Sequence, residues 1–347
     1  MRKTKKIKVG NIFVGGGAPV SVQSMLCTPN GDIEAATEQT SRLINAGCQI
    51  LRLAVPDEKM LPVIYALKEK FDLPLVADIH FDYKLAIESI AAGVDKVRIN
   101  PGNIGADDCV KKVVNACRTK NIPIRIGVNG GSLEKNILQK YGAPTADAMV
   151  ESALYHIRLL EKFDFEDIAI SIKSSNVPNM VSAYRSLAEK CDYPFHIGVT
   201  EAGPGNRGII KNSIGIGALL LDGIGDTLRV SLTDDPVNEV KVGYDILQSV
   251  GLLPGRPQLI SCPTCGRCNV DIISLAHQME EKLTSVSKPI TVAIMGCAVN
   301  GPGEAREADI GVAGGKGEGL IFKKGEIIGK VPQDQIITRL MEEIESL

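Results

Sequence analysis

Four cysteines towards the C-terminus are spaced to hold a soft metal. Three lie in Ser261-Cys262-Pro263-Thr264-Cys265-Gly266-Arg267-Cys268, and the fourth opens Cys297-Ala298-Val299-Asn300-Gly301-Pro302-Gly303-Glu304. A close thiolate pair and a distant third, each among turn-forming Gly and Pro, let a chain wrap round one centre. Thiolates select iron–sulfur clusters, zinc or Cu(I). A structural zinc site usually shows two close Cys or His pairs, and no second pair stands near Cys297. The pattern favours iron and sulfide over zinc.

The fourth ligand has two readings. Cys262-x-x-Cys265-x-x-Cys268 is similar to the start of a ferredoxin-type cluster sequence, and with Cys297 it makes four thiolates. Alternatively Glu304 replaces Cys268. A carboxylate oxygen is harder and more labile on iron than thiolate, so it can yield a coordination position to a substrate oxygen.

A second set of chemical residues lies upstream. Arg52, Arg98, Arg125, Lys173 and Arg229 each stand at or near the end of an apolar run, with Asp78, His80, Asn100, Asn129, Ser171, Thr200, Glu201 and Ser231 in comparable places. Residues two or four apart on a strand share a face, so pairs such as Asp78/His80, Arg98/Asn100 and Arg125/Asn129 point one way. A buried Arg needs a partner. Asp78 and Glu201 offer two carboxylates to this cationic set. The surplus positive charge suits an anion with more than one phosphate, because Arg reads phosphate bidentately. The loop Ala202-Gly203-Pro204-Gly205-Asn206-Arg207-Gly208 adds backbone N–H groups where such barrels often bind phosphate. Glu201 is the carboxylate best placed for proton transfer.

The runs that carry these residues are Val20–Met25, Gln49–Val55, Leu73–His80, Lys96–Asn100, Pro123–Asn129, Asp167–Lys173, Phe195–Glu201 and Thr227–Leu232. They are rich in Ile, Val and Leu, as parallel strands covered on both faces should be. Helical spacing fills the gaps, with start signals at Asp32, Asp57 and Asp235-Pro236. Eight strand–helix units imply an α/β fold of the (β/α)8 TIM-barrel type. An internal echo agrees: Ala46-Gly47 precedes Arg52 by the gap at which Ala92-Gly93 precedes Arg98. Ile7–Val9 and Asn11–Val14 read as a hairpin plugging the barrel bottom. The Gly/Pro-rich stretch 251–257 reads as a linker. The expected domains are a substrate-binding barrel over 1–252 and a small α/β iron–sulfur cluster domain over 258–347. In the latter, strands Gln258–Ser261 and Thr291–Met295 each lead into a cysteine loop.

A hydrophobic content of 44% supports a large core, and with aromatics at 4% and no Trp that core must be aliphatic. A net charge of −2 argues against general nucleic-acid binding. No apolar run approaches the roughly 20 residues of a membrane helix, and no secretory signal is expected. Nine cysteines, an odd number, suggest a reducing compartment, here the cytoplasm. Cys27, Cys48, Cys109, Cys117 and Cys191 read as structural, as do His156, His196 and His277.

Taken in order, the motifs resemble the 4-hydroxy-3-methylbut-2-en-1-yl diphosphate synthase family of the non-mevalonate isoprenoid pathway. The strings are Gly15-Gly16-Gly17-Ala18-Pro19, Val22-Gln23-Ser24-Met25, Ala77-Asp78-Ile79-His80-Phe81 and Val97-Arg98-Ile99-Asn100-Pro101-Gly102-Asn103. They continue with Val199-Thr200-Glu201-Ala202-Gly203, Gly225-Asp226-Thr227-Leu228-Arg229-Val230-Ser231, Ser261-Cys262-Pro263-Thr264-Cys265 and Asn300-Gly301-Pro302-Gly303-Glu304. The resemblance implies a [4Fe–4S] cluster on Cys262, Cys265, Cys297 and Glu304. It implies substrate contacts at Arg52, Arg98, Arg125, Asn129, Lys173, Arg229 and Ser231, a carboxylate at Glu201 and a metal-side amide at Asn300. Asp78 and His80 join the substrate-binding set from their place at the strand end. The implied reaction reductively opens 2-C-methyl-D-erythritol 2,4-cyclodiphosphate and removes a hydroxyl. Electrons arrive singly from flavodoxin or ferredoxin. A homodimer, with each cluster domain capping the partner's barrel, is also implied. Two other classes remain to be separated by experiment: a non-catalytic iron–sulfur sensor of a phosphorylated metabolite, and a zinc-dependent barrel lyase.

Overall fold

A computed structural model describes residues 1–253, 255–297 and 305–347, with the backbone alone at Ser132. Two compact units divide the chain, Met1–Leu252 and Leu253–Leu347.

The first unit opens with an antiparallel hairpin, β1 (Ile7–Val9) and β2 (Ile12–Val14). Then come β3 (Ser21–Met25), α1 (Ile33–Asn45), β4 (Ile50–Ala54), α2 (Met60–Lys70), β5 (Leu75–Asp78), α3 (Tyr83–Ala91), β6 (Lys96–Ile99) and α4 (Asp107–Lys120). The second half holds β7 (Ile124–Asn129), α5 (Lys135–Tyr141), α6 (Ala146–Glu161), β8 (Ile168–Lys173), α7 (Val177–Ala188), β9 (His196–Ile197), α8 (Gly205–Leu221), β10 (Thr227–Leu228) and α9 (Pro236–Ser249). The eight strands β3 to β10 form one sheet in the order β8-β7-β6-β5-β4-β3-β10-β9. Neighbours run parallel, and an Ile170–Phe195 bridge joins the two ends. This is the expected (β/α)8 barrel.

Local chemistry explains the register. Side-chain caps at Asp32, Asp82, Thr145, Asn176 and Asp235 accept backbone N–H groups at helix starts. The sequence echo is a repeated stop: Gly47 (φ 96°) and Gly93 (φ 101°) end α1 and α3 in a conformation that glycine adopts freely. Cys48 N–H then reaches Leu43 O, and Val94 N–H reaches Ser89 O. The hairpin packs Ile7, Val9 and Val14 against Ile50, Val76 and Ala169, near the N-terminal ends of their strands, as a bottom plug should.

Three expectations are corrected. The strands expected over Phe195–Glu201 and Thr227–Leu232 shrink to the two-residue β9 and β10. At Gly198 the backbone passes so close to the Arg229 carbonyl that a Cβ would lie 2.4 Å from it, and the ladder stops there. Thr200, Glu201, Arg229 and Ser231 thus lie on the loops after the strands. Helix α2 begins at Met60, three residues after the start signal at Asp57, whose carboxylate accepts the Lys59 N–H and the Asn30 amide.

In the second unit, β11 (Gln258–Ser261), α10 (Ile272–Leu283), β12 (Thr291–Met295), β13 (Ile310–Gly314), β14 (Glu318–Lys323), β15 (Glu326–Pro332) and α11 (Ile336–Ser346) follow in order. The strands form one sheet, β11-β12-β13-β14-β15, with β11, β12 and β13 parallel and the last two antiparallel. Period-two alternation divides its faces. Val292, Ile294, Ile310 and Val312 pack on α10 and α11, while Ala293, Met295, Ala313 and Phe322 pack on the other side.

Candidate functional site

The C-terminal ends of the barrel strands carry a connected charge network. Asp78, fully buried, accepts from Arg52 and Arg98; the Arg98 contact is 3.1 Å. His80 Nε2 lies 3.2 Å from the same carboxylate. Burial alone would raise the Asp78 carboxyl. The Arg52 guanidinium, helped by His80 and Arg98, outweighs it and holds the group well below the usual carboxylate range. Arg98 also donates to the Gly127 carbonyl at 3.3 Å. Glycine is required here, since a Cβ on Gly127 would sit 2.1 Å from Arg98 Nε.

Arg229 is paired differently. Its Nη2 lies 3.4 Å from Glu239, whose Oε1 also accepts the Leu232 N–H. Glu239 escaped the sequence reading. The signal was present: it falls on the buried face of α9 with Pro236, Val240 and Gly243, where a carboxylate needs a cationic partner. Burial raises Glu239, opposed by Arg229.

Arg125 is fully buried and crosses the barrel lumen to Gln23 on β3, at 3.4 Å. Lys173 is buried, and among the described residues its ammonium forms no ion pair. Burial, then the charges of Arg52, Arg229, Arg125 and Arg98, hold it well below its ordinary value. Asn129 pairs in register with Lys173, and both end their strands. Ser231 is fixed through its backbone by the Asn212 amide.

Glu201 stands apart from this network. It is exposed, takes a left-handed backbone (φ 53°), and forms no ion pair among the described residues. Neither Lys173 nor Arg229 pairs with it; Arg229 is held by Glu239. Two further groups escaped attention as inward-facing polar residues: Lys96 and His196, both fully buried. Lys96 stands two residues before Arg98 and so shares its face.

In the second unit the sheet brings two cysteines near each other. Cys262 follows β11 and Cys297 follows β12, its parallel neighbour. The Gly296 N–H donates to Cys262 Sγ at 3.2 Å. The intervening loop is stitched to the same place, with Cys268 N–H on Cys265 O and Asn269 N–H on Gly296 O. Cys262 is half-buried, Cys297 buried and Cys265 exposed. The Arg267 backbone N–H pulls the Cys265 thiol down from its ordinary value. Cys268 instead turns its Sγ to the Val270 carbonyl at 3.1 Å. Among the described residues no three His, Cys, Asp or Glu side chains gather closely enough to hold a metal. Asn300 and Glu304 lie outside the described residues. The donor chemistry fits a thiolate-held group at Cys262 and Cys297, with Cys265 one turn away.

Solved structures share the barrel. Dihydropteroate synthase from Yersinia pestis superposes with a TM-score of 0.51 at 13% identity, over 70% of this chain and 98% of that one. That likeness shows the fold alone. Residues 4–244 match the GcpE TIM-barrel domain, and residues 258–346 match the GcpE protein C-terminal domain. The 4-hydroxy-3-methylbut-2-en-1-yl diphosphate synthase (flavodoxin) of Clostridium perfringens is 57% identical, covering 100% of this chain and 99% of the relative. The enzyme of the same name from Fusobacterium nucleatum is 56% identical, covering 99% and 97%. The chain therefore belongs to the 4-hydroxy-3-methylbut-2-en-1-yl diphosphate synthase family, as its motifs implied.

Proposed function

We propose that this chain reduces 2-C-methyl-D-erythritol 2,4-cyclodiphosphate to 4-hydroxy-3-methylbut-2-en-1-yl diphosphate in the cytoplasm. The reaction opens the ring at a carbon–oxygen bond and removes a hydroxyl. It takes up two electrons and two protons and releases one water. Flavodoxin or ferredoxin supplies the electrons. One observation carries the substrate class. Among the described residues Arg52, Arg98, Arg125, Lys173 and Arg229 face two buried carboxylates, Asp78 and Glu239, so the barrel mouth keeps surplus positive charge. A doubly phosphorylated substrate neutralises that surplus.

The chain's own residues bind and orient. Asp78 holds Arg52 and Arg98 in fixed rotamers before substrate arrives, which limits the ordering cost of binding. Lys173 and Arg125 bring charge not yet committed to a carboxylate. Asn129 and Ser231 supply neutral hydrogen bonds beside them. Glu201, unpaired and accessible, delivers a proton to the departing hydroxyl.

Cys262, Cys265, Cys297 and Glu304 would hold a [4Fe–4S] cluster, which when bound supplies electrons one at a time. The contact of Cys268 Sγ with the Val270 carbonyl supports leaving Cys268 out of this set. Exposed Ile210, Ile214 and Leu221 share a face of α8 and support self-association as a homodimer. Among the described residues no helix is long and apolar enough to cross a membrane. The test is an anaerobic assay with a one-electron donor and the cyclic diphosphate. Formation of the linear diphosphate supports the reading, and binding without turnover would favour a sensor.

A further inference from the structure

Below the Asp78-centred network the barrel interior holds a second polar layer, which shares with the proposed substrate site only Arg125. Lys96 and Arg125 lie on neighbouring strands, β6 and β7, on the same inward face. His196 and Thr227 face each other in register on β9 and β10, and Thr227 faces Ser21 on β3. Arg125 crosses between these groups to reach Gln23. Each of these residues is at least 97% buried. The apolar floor of Ile50, Val76, Ala169 and the β1–β2 hairpin seals the barrel beneath them.

Hydrogen bonding in this layer is out of balance. Lys96 Nζ, Arg125 Nε, Arg125 Nη2 and Gln23 Nε2 are all buried donors that find no acceptor among the described residues. Both His196 nitrogens, Thr227 Oγ1 and Ser21 Oγ are also unpartnered. Buried polar groups are rarely left unmatched, and adjacent buried cations without a counter-charge are costly. Asp78 already serves Arg52, Arg98 and His80. Loss of the Lys96 proton would remove one charge, yet Arg125 Nε and Nη2 would still lack an acceptor among the described residues.

We propose that this layer binds a small monatomic anion of halide size, held chiefly by Lys96 and the inner edge of Arg125. The anion is separate from the substrate phosphates, which belong to the upper network at the strand ends. Its part is structural. It matches the donors under the mouth and lets Arg125 keep its charge in the empty barrel. The inference does not depend on the identity of the reaction.

Full-length protein in gluconate buffer is titrated with bromide or chloride at constant ionic strength while thermal unfolding is followed. A saturable rise in Tm of roughly 3 °C is expected. Crystals grown in bromide should show an anomalous peak between Lys96 Nζ and Arg125. Lys96→Met should abolish both signals, while stabilisation by inorganic phosphate, acting at the upper network, survives. No saturable halide effect, an effect unchanged in Lys96→Met, or an anomalous peak confined to the upper network would overturn the proposal. If Lys96→Met fails to fold, the wild-type bromide map decides alone, and water without bromide in this layer refutes it.

Discussion

The barrel mouth and the cysteine loops solve opposite problems. At the mouth, like charges are assembled in advance: Asp78 fastens Arg52 and Arg98, and Glu239 fastens Arg229. The protein alone keeps the cations together, and the proposed diphosphate ligand would complete the charge balance. In the cysteine unit the sheet sets only Cys262 and the Gly296–Cys297 corner in place, while Cys265 stays exposed. There the proposed cluster would draw its ligands together. The difference follows from chemistry. Guanidinium–carboxylate networks persist without a ligand, whereas a thiolate set gains most of its binding energy from the metal.

The largest expected effects test the metal-dependent half. Cys297→Ser should lose cluster iron and all turnover, whereas Cys268→Ser should keep both. An unchanged visible absorption spectrum in Cys297→Ser would erase the distinction drawn between these sulfurs. Next comes Glu201, the proposed proton carrier. Glu201→Gln should keep substrate affinity and lose on the order of 10²–10⁴-fold in kcat. Equal losses in binding and turnover would instead make Glu201 a structural residue.

The preassembled half is tested by stability. Asp78→Asn leaves Arg52 and Arg98 buried without a counter-charge and should cost about 3–5 kcal/mol in urea unfolding. The sign with pH is fixed. The folded Asp78 carboxyl titrates below its ordinary 3.8, so its stabilisation is complete above that pH and is lost as pH falls through the folded value. The gap between wild type and variant should therefore narrow only on the acid side of 3.8. A gap that is constant down to strong acid would remove the ionic explanation. Glu239→Gln should have the smallest effect, about 1 kcal/mol, because a glutamine still accepts the Leu232 N–H. A loss as large as that of Asp78→Asn would show that the two carboxylates are equivalent anchors.

Most of this was readable in the sequence where periodicity is strong. The strands that bear Arg52 and Arg98 follow the glycine stops at Gly47 and Gly93, and those that bear Asp78 and Arg125 are equally apolar runs, so their inward residues could be named. Reading failed where tertiary contact overrides pattern. Strands β9 and β10 end early because the backbones at Gly198 and Arg229 come together, which no local propensity records. Glu239 was missed because attention lay on strand ends, although its place on an apolar helix face announced a buried partner. Lys96 was legible by the period of two but stands at a strand beginning, and His196 read as structural with nothing local to mark its polar neighbours. The cysteine spacing gave the class of centre, and the turn of Cys268 towards Val270 could be learned only from coordinates.

The most direct measurement is the iron and sulfide content of protein purified without oxygen, taken together with its turnover of the cyclic diphosphate under a one-electron donor. The account predicts about four irons and four sulfides per chain and linear diphosphate as product. Colourless protein, or zinc in place of iron, with the cyclic diphosphate left intact, would contradict it.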